Sequence, residues 1–201
     1  MDKISSLLAI LDTLLGPDGC PWDRKQTLSS IKGDLLEEAC EVIDAIDQQN
    51  GDEIKEELGD LLFVVLFLCR LAEKEQFASL PEIIEGICEK LIRRHPHIFD
   101  EKKTLNDDEL LKQWDQIKDE EKKIPRHPVH KIPKSLPALT RAFEVLRAIE
   151  KHRWEKPKVL IDDQELEIGQ ALFSLVEKAN SENIDPELAL RKFLVKIQSE
   201  L

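Results

Sequence analysis

Between Pro21 and Pro81 the sequence has no proline, and the only glycines in that stretch are Gly33, Gly51 and Gly59. Few chains of this length avoid backbone breakers for so long unless they are helical. The residues in between are mostly Leu, Ile, Glu and Asp, with apolar positions recurring at helical spacing. No segment anywhere alternates at period two for long enough to make a strand. The pattern predicts helices over 2–15, 27–49, 52–76 and 106–122, with another that starts after Ser79 and stops before Pro96. Three more are expected over 135–150, 164–180 and 186–200. Residues 16–22 read as a structured loop, and Asp52 reads as the N-cap of the third helix. Ser79 with Glu82 has the spacing of a capping box, and Pro81 suits a first helical turn. The expected fold class is all-α, a helical bundle.

The chain has 201 residues, 41% hydrophobic and 35% charged, which suits one to one and a half folded domains and not a disordered chain. Twenty-nine basic residues against 41 acidic ones leave a net charge of -12. Such a surface repels both nucleic acid polymers and anionic membranes, so neither is an expected partner. The longest apolar run, residues 61–69, is too short to cross a bilayer as a helix, which takes about 20 residues. Cys20, Cys40, Cys69 and Cys88 include no CxxC pair, so neither a zinc framework nor a disulfide scaffold is expected. The amphipathic N-terminal segment lacks a secretory pattern, and together these features predict a cytoplasmic protein.

The chemistry-bearing stretch is Glu37-Glu38-Ala39-Cys40-Glu41, followed by Glu57-Leu58-Gly59-Asp60. Residues three apart share a helix face, so Glu38 projects with Glu41 and Glu57 with Asp60. If the two helices form an antiparallel hairpin, residues level with each other are centred on its turn. Glu41 with Glu57 and Glu38 with Asp60 are both centred on residue 49, inside the expected turn. The two levels then lie about 4.5 Å apart along the helices. Four carboxylates in this register repel unless they are protonated or share a cation. All-oxygen ligands suit magnesium, manganese or calcium. No histidine occurs before His95, which disfavours a di-iron bundle, and the EF-hand loop pattern is missing, which disfavours a structural calcium site. Acids at these positions also serve as ordinary solvated helix faces in a chain so rich in them.

These residues resemble the EExxE and ExxD signature of MazG-type nucleoside triphosphate pyrophosphohydrolases. The resemblance extends to Gly19-Cys20-Pro21-Trp22-Asp23, to Glu57-Leu58-Gly59-Asp60-Leu61-Leu62-Phe63 and to Arg93-Arg94-His95-Pro96-His97-Ile98-Phe99. Residues 114–118 and 132–139 also resemble the family, so the likeness covers about the first 140 residues. It implies an all-α bundle completed by pairing as a homodimer. The implied reaction is hydrolysis of a nucleoside triphosphate to the monophosphate and pyrophosphate, a housecleaning of the nucleotide pool. Magnesium would be the cofactor, with manganese as a possible substitute. Carried over by motif, Glu38, Glu41, Glu57 and Asp60 become metal ligands. Glu37, Glu38 and Glu41 become the candidates for activating water. Lys90 and Arg94 face the phosphates, Trp114 and Lys118 belong to the nucleotide site, and Trp22 offers a second stacking face.

The resemblance also divides the chain. Residues 1–123 would form the catalytic module, 124–137 a proline-rich linker, and 138–201 a shortened second module. Glu167-Ile168-Gly169-Gln170-Ala171-Leu172-Phe173 aligns with the Glu57 stretch at an offset of 110, with Gln170 where Asp60 stands. No EExxE helix precedes it. The alternative function is a helical module that binds nucleotide or metal for regulation without turnover.

Overall fold

The computed structural model of the chain describes residues 3–100, 103–121, 129 and 132–200, with the side chains of Lys118 and Asp119 outside that description. Among the described residues the only regular structure is helical. The chain divides into two compact units, Met1–Glu121 and Lys122–Leu201.

In the first unit, α1 (Lys3–Leu15) is followed by a 3₁₀ turn (Asp23–Lys25), then α2 (Lys32–Gln48), α3 (Gly51–Lys74) and α4 (Leu80–Arg94). A short α5 (Pro96–Phe99) and α6 (Asp107–Glu120) complete it. The α2–α3 hairpin is its most extensive helix pair. Beyond the hairpin's acidic end lies a core built on Leu11 of α1, Ile31 just before α2, Phe67 and Leu71 of α3 and Leu80 of α4. Arg70 reaches from α3 to Asp12 of α1, its Nε 2.8 Å from the carboxylate, and holds the two helices together at the rim of that core.

The loop after α1 explains why residue 19 is glycine. Its φ is not positive, so conformational freedom is not the reason. A β-carbon there would stand 2.1 Å from the carbonyl oxygen of Leu14 and 2.4 Å from that of Thr13. Both obstacles are backbone atoms at the end of α1, which cannot rotate away. Gly19→Ala is therefore expected to destabilise the first unit by about 1–3 kcal/mol through overpacking, read from the midpoint of denaturant unfolding.

Some boundaries differ from those the sequence suggested; α7, for example, starts at Ala138 rather than at residue 135. The second helix starts at Lys32 rather than near residue 27. Residues 27–30 form a turn instead, in which Ser30 Oγ donates to Gln26 Oε1 at 2.7 Å and accepts from the Thr27 N–H at 2.9 Å. Such hydroxyl bonds compete with the helix ladder. The N-cap of α3 is Asn50, whose side chain accepts from the N–H groups of Asp52 and Glu53; Asp52 lies within the first turn. The fourth helix stops at Arg94, before Pro96, as the sequence predicts; Pro96 then opens the short α5, because its fixed φ suits a first helical position. The Ser79–Glu82 capping box forms as the spacing predicts.

The second unit contains α7 (Ala138–His152), α8 (Gln164–Ser181) and α9 (Pro186–Ser199). Asp163 and Asp185 cap the last two. Leu146, Ile149 and Val176 form a small core. A cavity of about 800 Å³ opens between α7, residues 156–161 and the α8 face that carries Gln170, Phe173 and Ser174. Half of the 124–137 segment expected to be a linker, residues 124–128, 130 and 131, lies outside the described residues.

Candidate metal and nucleotide site

The site begins with the turn that joins α2 to α3. Gln49 takes the left-handed conformation, φ 57°, and its N–H closes α2 onto the carbonyls of Ala45 and Ile46. Asn50 then starts α3 at once. With no slack in the turn, the two helices run back alongside each other. Ala45 is buried beside Val42 on the inner side of α2, and its small side chain permits close approach.

The hairpin brings carboxylate oxygens of Glu38, Glu41 and Glu57 within 4.8 Å of one another. Asp60 is exposed one turn along α3, outside that trio, yet its charge reaches both Glu38 and Glu57. Glu37 is exposed beside Glu38. Burial, and then the like charges of Glu41, Asp60, Glu57 and Glu37, push the Glu38 carboxyl above its ordinary value. Burial, and then Glu41, Glu56, Asp60 and Glu53, do the same for Glu57. Glu38 Oε2 is buried and has no hydrogen-bond partner within the protein. A buried anionic oxygen left in that condition is costly.

A divalent ion fits this arrangement. Two oxygens on opposite sides of magnesium stand about 4.2 Å apart and around calcium up to about 5.2 Å. The observed spread of up to 4.8 Å therefore suits an ion between the three acids, with slight contraction for magnesium. The donor set is all oxygen, the hard-cation choice.

The other sequence candidates lie on neighbouring elements. Lys90 and Arg94 are half-buried one turn apart near the end of α4. Trp114 lies on α6, its ring centroid 6.3 Å from that of His95, which in turn lies 5.7 Å from His97. Lys118 lies on α6 as well, but its side chain falls outside the described residues. Trp22 heads the 3₁₀ turn with its indole largely exposed. The structure thus gathers Glu38, Glu41 and Glu57 at one point, and sets Arg94 and Trp114 on two helices, α4 and α6, that pack together.

Sequence reading missed Glu121, which follows α6 directly. Its carboxylate accepts from Arg94 Nη2 at 2.6 Å and from Arg93 Nε at 2.8 Å. No signal beside it in the chain marked it, because its partners lie on α4. Hydrogen bonds from Arg94, then Arg93, hold the Glu121 carboxyl down at about 2. An unfolded glutamate titrates near about 4.3. The contribution of this contact to stability is accordingly full above that value and lost as pH falls through about 2. Unfolding of the wild type and of Glu121→Gln across pH should show a constant gap near neutrality that closes in acid.

Comparisons with known proteins place the chain in a family. The profile of the MazG nucleotide pyrophosphohydrolase domain matches residues 26–99, which contain α2, α3, α4 and α5. A protein named nucleoside triphosphate pyrophosphohydrolase from Escherichia coli is 36% identical, over 96% of this chain and 83% of its own length. The chain belongs to the MazG family. A further MazG protein, from Thermotoga maritima, is named nucleoside triphosphate pyrophosphohydrolase/pyrophosphatase and is 38% identical over 92% of this chain and 79% of its own. The crystal structure of a MazG-related protein from the same organism superposes with a TM-score of 0.52 at 28% identity. It covers 57% of this chain and 98% of that one.

Proposed function

We propose that this MazG-family protein hydrolyses nucleoside triphosphates to the monophosphate and pyrophosphate, with Glu38, Glu41, Glu57 and Asp60 holding magnesium. The observation that carries the reading is the convergence of three carboxylates around a buried, unpartnered oxygen of Glu38. A bound divalent ion supplies charge neutralisation at the phosphate oxygens and polarises phosphorus. The protein supplies the rest. Lys90 and Arg94 hold the phosphate chain in place, Trp114 and Lys118 hold the nucleoside end, and Trp22 offers a further face for the base. A glutamate of the Glu37-Glu38-x-x-Glu41 turn, not fully committed to the ion, accepts the proton of the attacking water. Glu37 orients that water or supports the ligating carboxylates.

The test is a panel of canonical and modified nucleoside triphosphates incubated with magnesium, with manganese and with excess EDTA. Metal-dependent release of pyrophosphate and monophosphate is expected. Diphosphate plus phosphate as products would overturn the reaction class. Nucleotide binding without turnover would instead favour a regulatory module.

Two copies are proposed to pair through the apolar faces that one chain leaves open. Leu58, Leu62 and Val65 recur at helical spacing on α3, all exposed, on a different side from the buried Val64 and Phe67. A helix apolar on two sides is built to be covered on two sides. Light scattering should report a dimer, and Leu62→Glu should shift it toward monomer.

The second unit is proposed as an eroded copy of the first. Gln170 occupies the Asp60 position, and Ser174 and Glu177 take the places of the core residues Val64 and Phe67. The cavity beside them suits the loss of a packing helix. Gln170→Ala is expected to leave turnover unchanged. All four cysteines are unpaired, which supports a reducing compartment such as the cytoplasm. Among the residues described, no helix is long and apolar enough to cross a membrane.

A further inference from the structure

The contact between Glu121 and the α4 arginines reaches further than a tie between helices. Glu121 lies just past α6, two turns beyond Trp114 on the same helical face. Its Oε2 accepts from Arg94 Nε at 3.2 Å and Nη2 at 2.6 Å, so it grips the guanidinium side-on. Its Oε1 accepts from Arg93 Nε at 2.8 Å and more weakly from Arg94 Nε at 3.4 Å. A guanidinium has a second, end-on edge, formed by Nη1 and Nη2, that can grip another anion in the plane. The side-on pairing leaves that edge of Arg94 for a second oxyanion. The pairing is also enclosed: the side chains of Arg94 and Glu121 are only 18% and 20% exposed.

We infer that Glu121 is a positioning residue for phosphate recognition: it fixes the Arg94 guanidinium side-on so that its end-on edge is aimed at the triphosphate. The inference rests on the proposed phosphate role of Arg94. Two effects oppose each other when Glu121 is removed. Losing a carboxylate raises the local positive charge and favours anions. Losing the grip frees a long side chain whose direction must then be fixed again at each binding event. Bidentate recognition depends on direction, and solvent and salt weaken the added charge, so the loss of order outweighs the gain in charge. The two arginines also outnumber the one carboxylate, so the group keeps a net positive charge while ordered.

The test uses the full-length protein with magnesium and its best substrate from the nucleotide panel, with inorganic tripolyphosphate as a base-free competitor. Glu121→Ala is expected to raise KM and the tripolyphosphate inhibition constant about 10-fold while kcat changes less than about threefold, the pattern of lost binding in the ground and transition states alike. Adding Glu121→Ala to Arg94→Ala should produce no further loss, because the effect passes through Arg94. Glu121→Gln, which keeps the shape, serves if the alanine variant fails to fold, and should show the same direction. An unchanged or lower KM in folded Glu121 variants, with Arg94→Ala impaired, overturns the positioning role alone. Independent, additive losses overturn it as well, since a tie that merely stabilises the fold adds in that way. If Arg94→Ala binds tripolyphosphate as the wild type does, the phosphate role of Arg94 falls and this inference falls with it.

Discussion

Glu38→Gln is expected to lower magnesium-supported turnover by at least about 100-fold while the metal-free protein unfolds no earlier than the wild type. The magnitude follows from the loss of a charged ligand, which costs more than the 10- to 100-fold typical of groups that only support ligands. The stability half of the prediction separates function from fold. Glu38 sits among Glu41, Asp60, Glu57 and Glu37, whose charges oppose its ionisation, and its Oε2 lacks a partner. Replacing it with a neutral amide relieves that repulsion, and the new N–H₂ group can donate to the neighbouring carboxylates. Residues that stabilise a fold behave in the opposite way when replaced. The same reasoning predicts that magnesium raises the unfolding temperature of the wild type by mass action and that Glu38→Gln loses most of that increase. Turnover close to wild type in the variant would sink the four-carboxylate metal site.

Phe67→Ala is expected to destabilise the first unit by about 3–5 kcal/mol, the usual cost of emptying a buried aromatic site. Phe67 is 2% exposed and stands among Leu11, Ile31, Leu71 and Leu80, so its ring joins elements from α1 to α4. Phe63 packs against it with ring centroids 5.8 Å apart and cannot fill the space without leaving its own position. Calorimetry or denaturant unfolding would measure the change, and a loss under about 1 kcal/mol would mean that the core collapses around the gap in a way this packing does not allow. Because Phe67 and Glu57 belong to the same helix, loosening the core is also expected to weaken magnesium binding.

The parts of this protein that sequence made legible are those where one residue type has one physical use. Proline and glycine marked the helices, and Ser79 with Glu82 marked a cap. The centring of two acid pairs on residue 49 anticipated a hairpin whose acids face each other, and Glu38, Glu41 and Glu57 do converge. What was illegible depends on partners remote in sequence. Leu61, Leu62, Val64, Val65 and Leu68 form one apolar strip when read along the chain. In the structure Val64 is buried, while Leu62 and Val65 are 40% and 42% exposed, because the strip wraps round α3 onto two sides. Glu121 was illegible for the same reason: nothing near it in the chain indicates that two arginines from α4 will close on it. The start of α2 was misplaced because Thr27 and Ser30 bond to their own neighbours, a local competition that hydrophobic spacing does not record.

The turn between α2 and α3 acts as a ruler. Gln49 ends one helix and Asn50 begins the next without a spare residue, so the number of residues in the turn decides which side chains meet across the hairpin. Substitutions at these two positions can trade a little cap energy and leave the acids opposite one another. Inserting a single residue is a different kind of change. It advances α3 against α2 by about 1.5 Å and turns it by about 100°, which carries Glu57 off the face it shares with Glu38 and Glu41. Descendants of this sequence are therefore free to vary the letters of the turn but not its length.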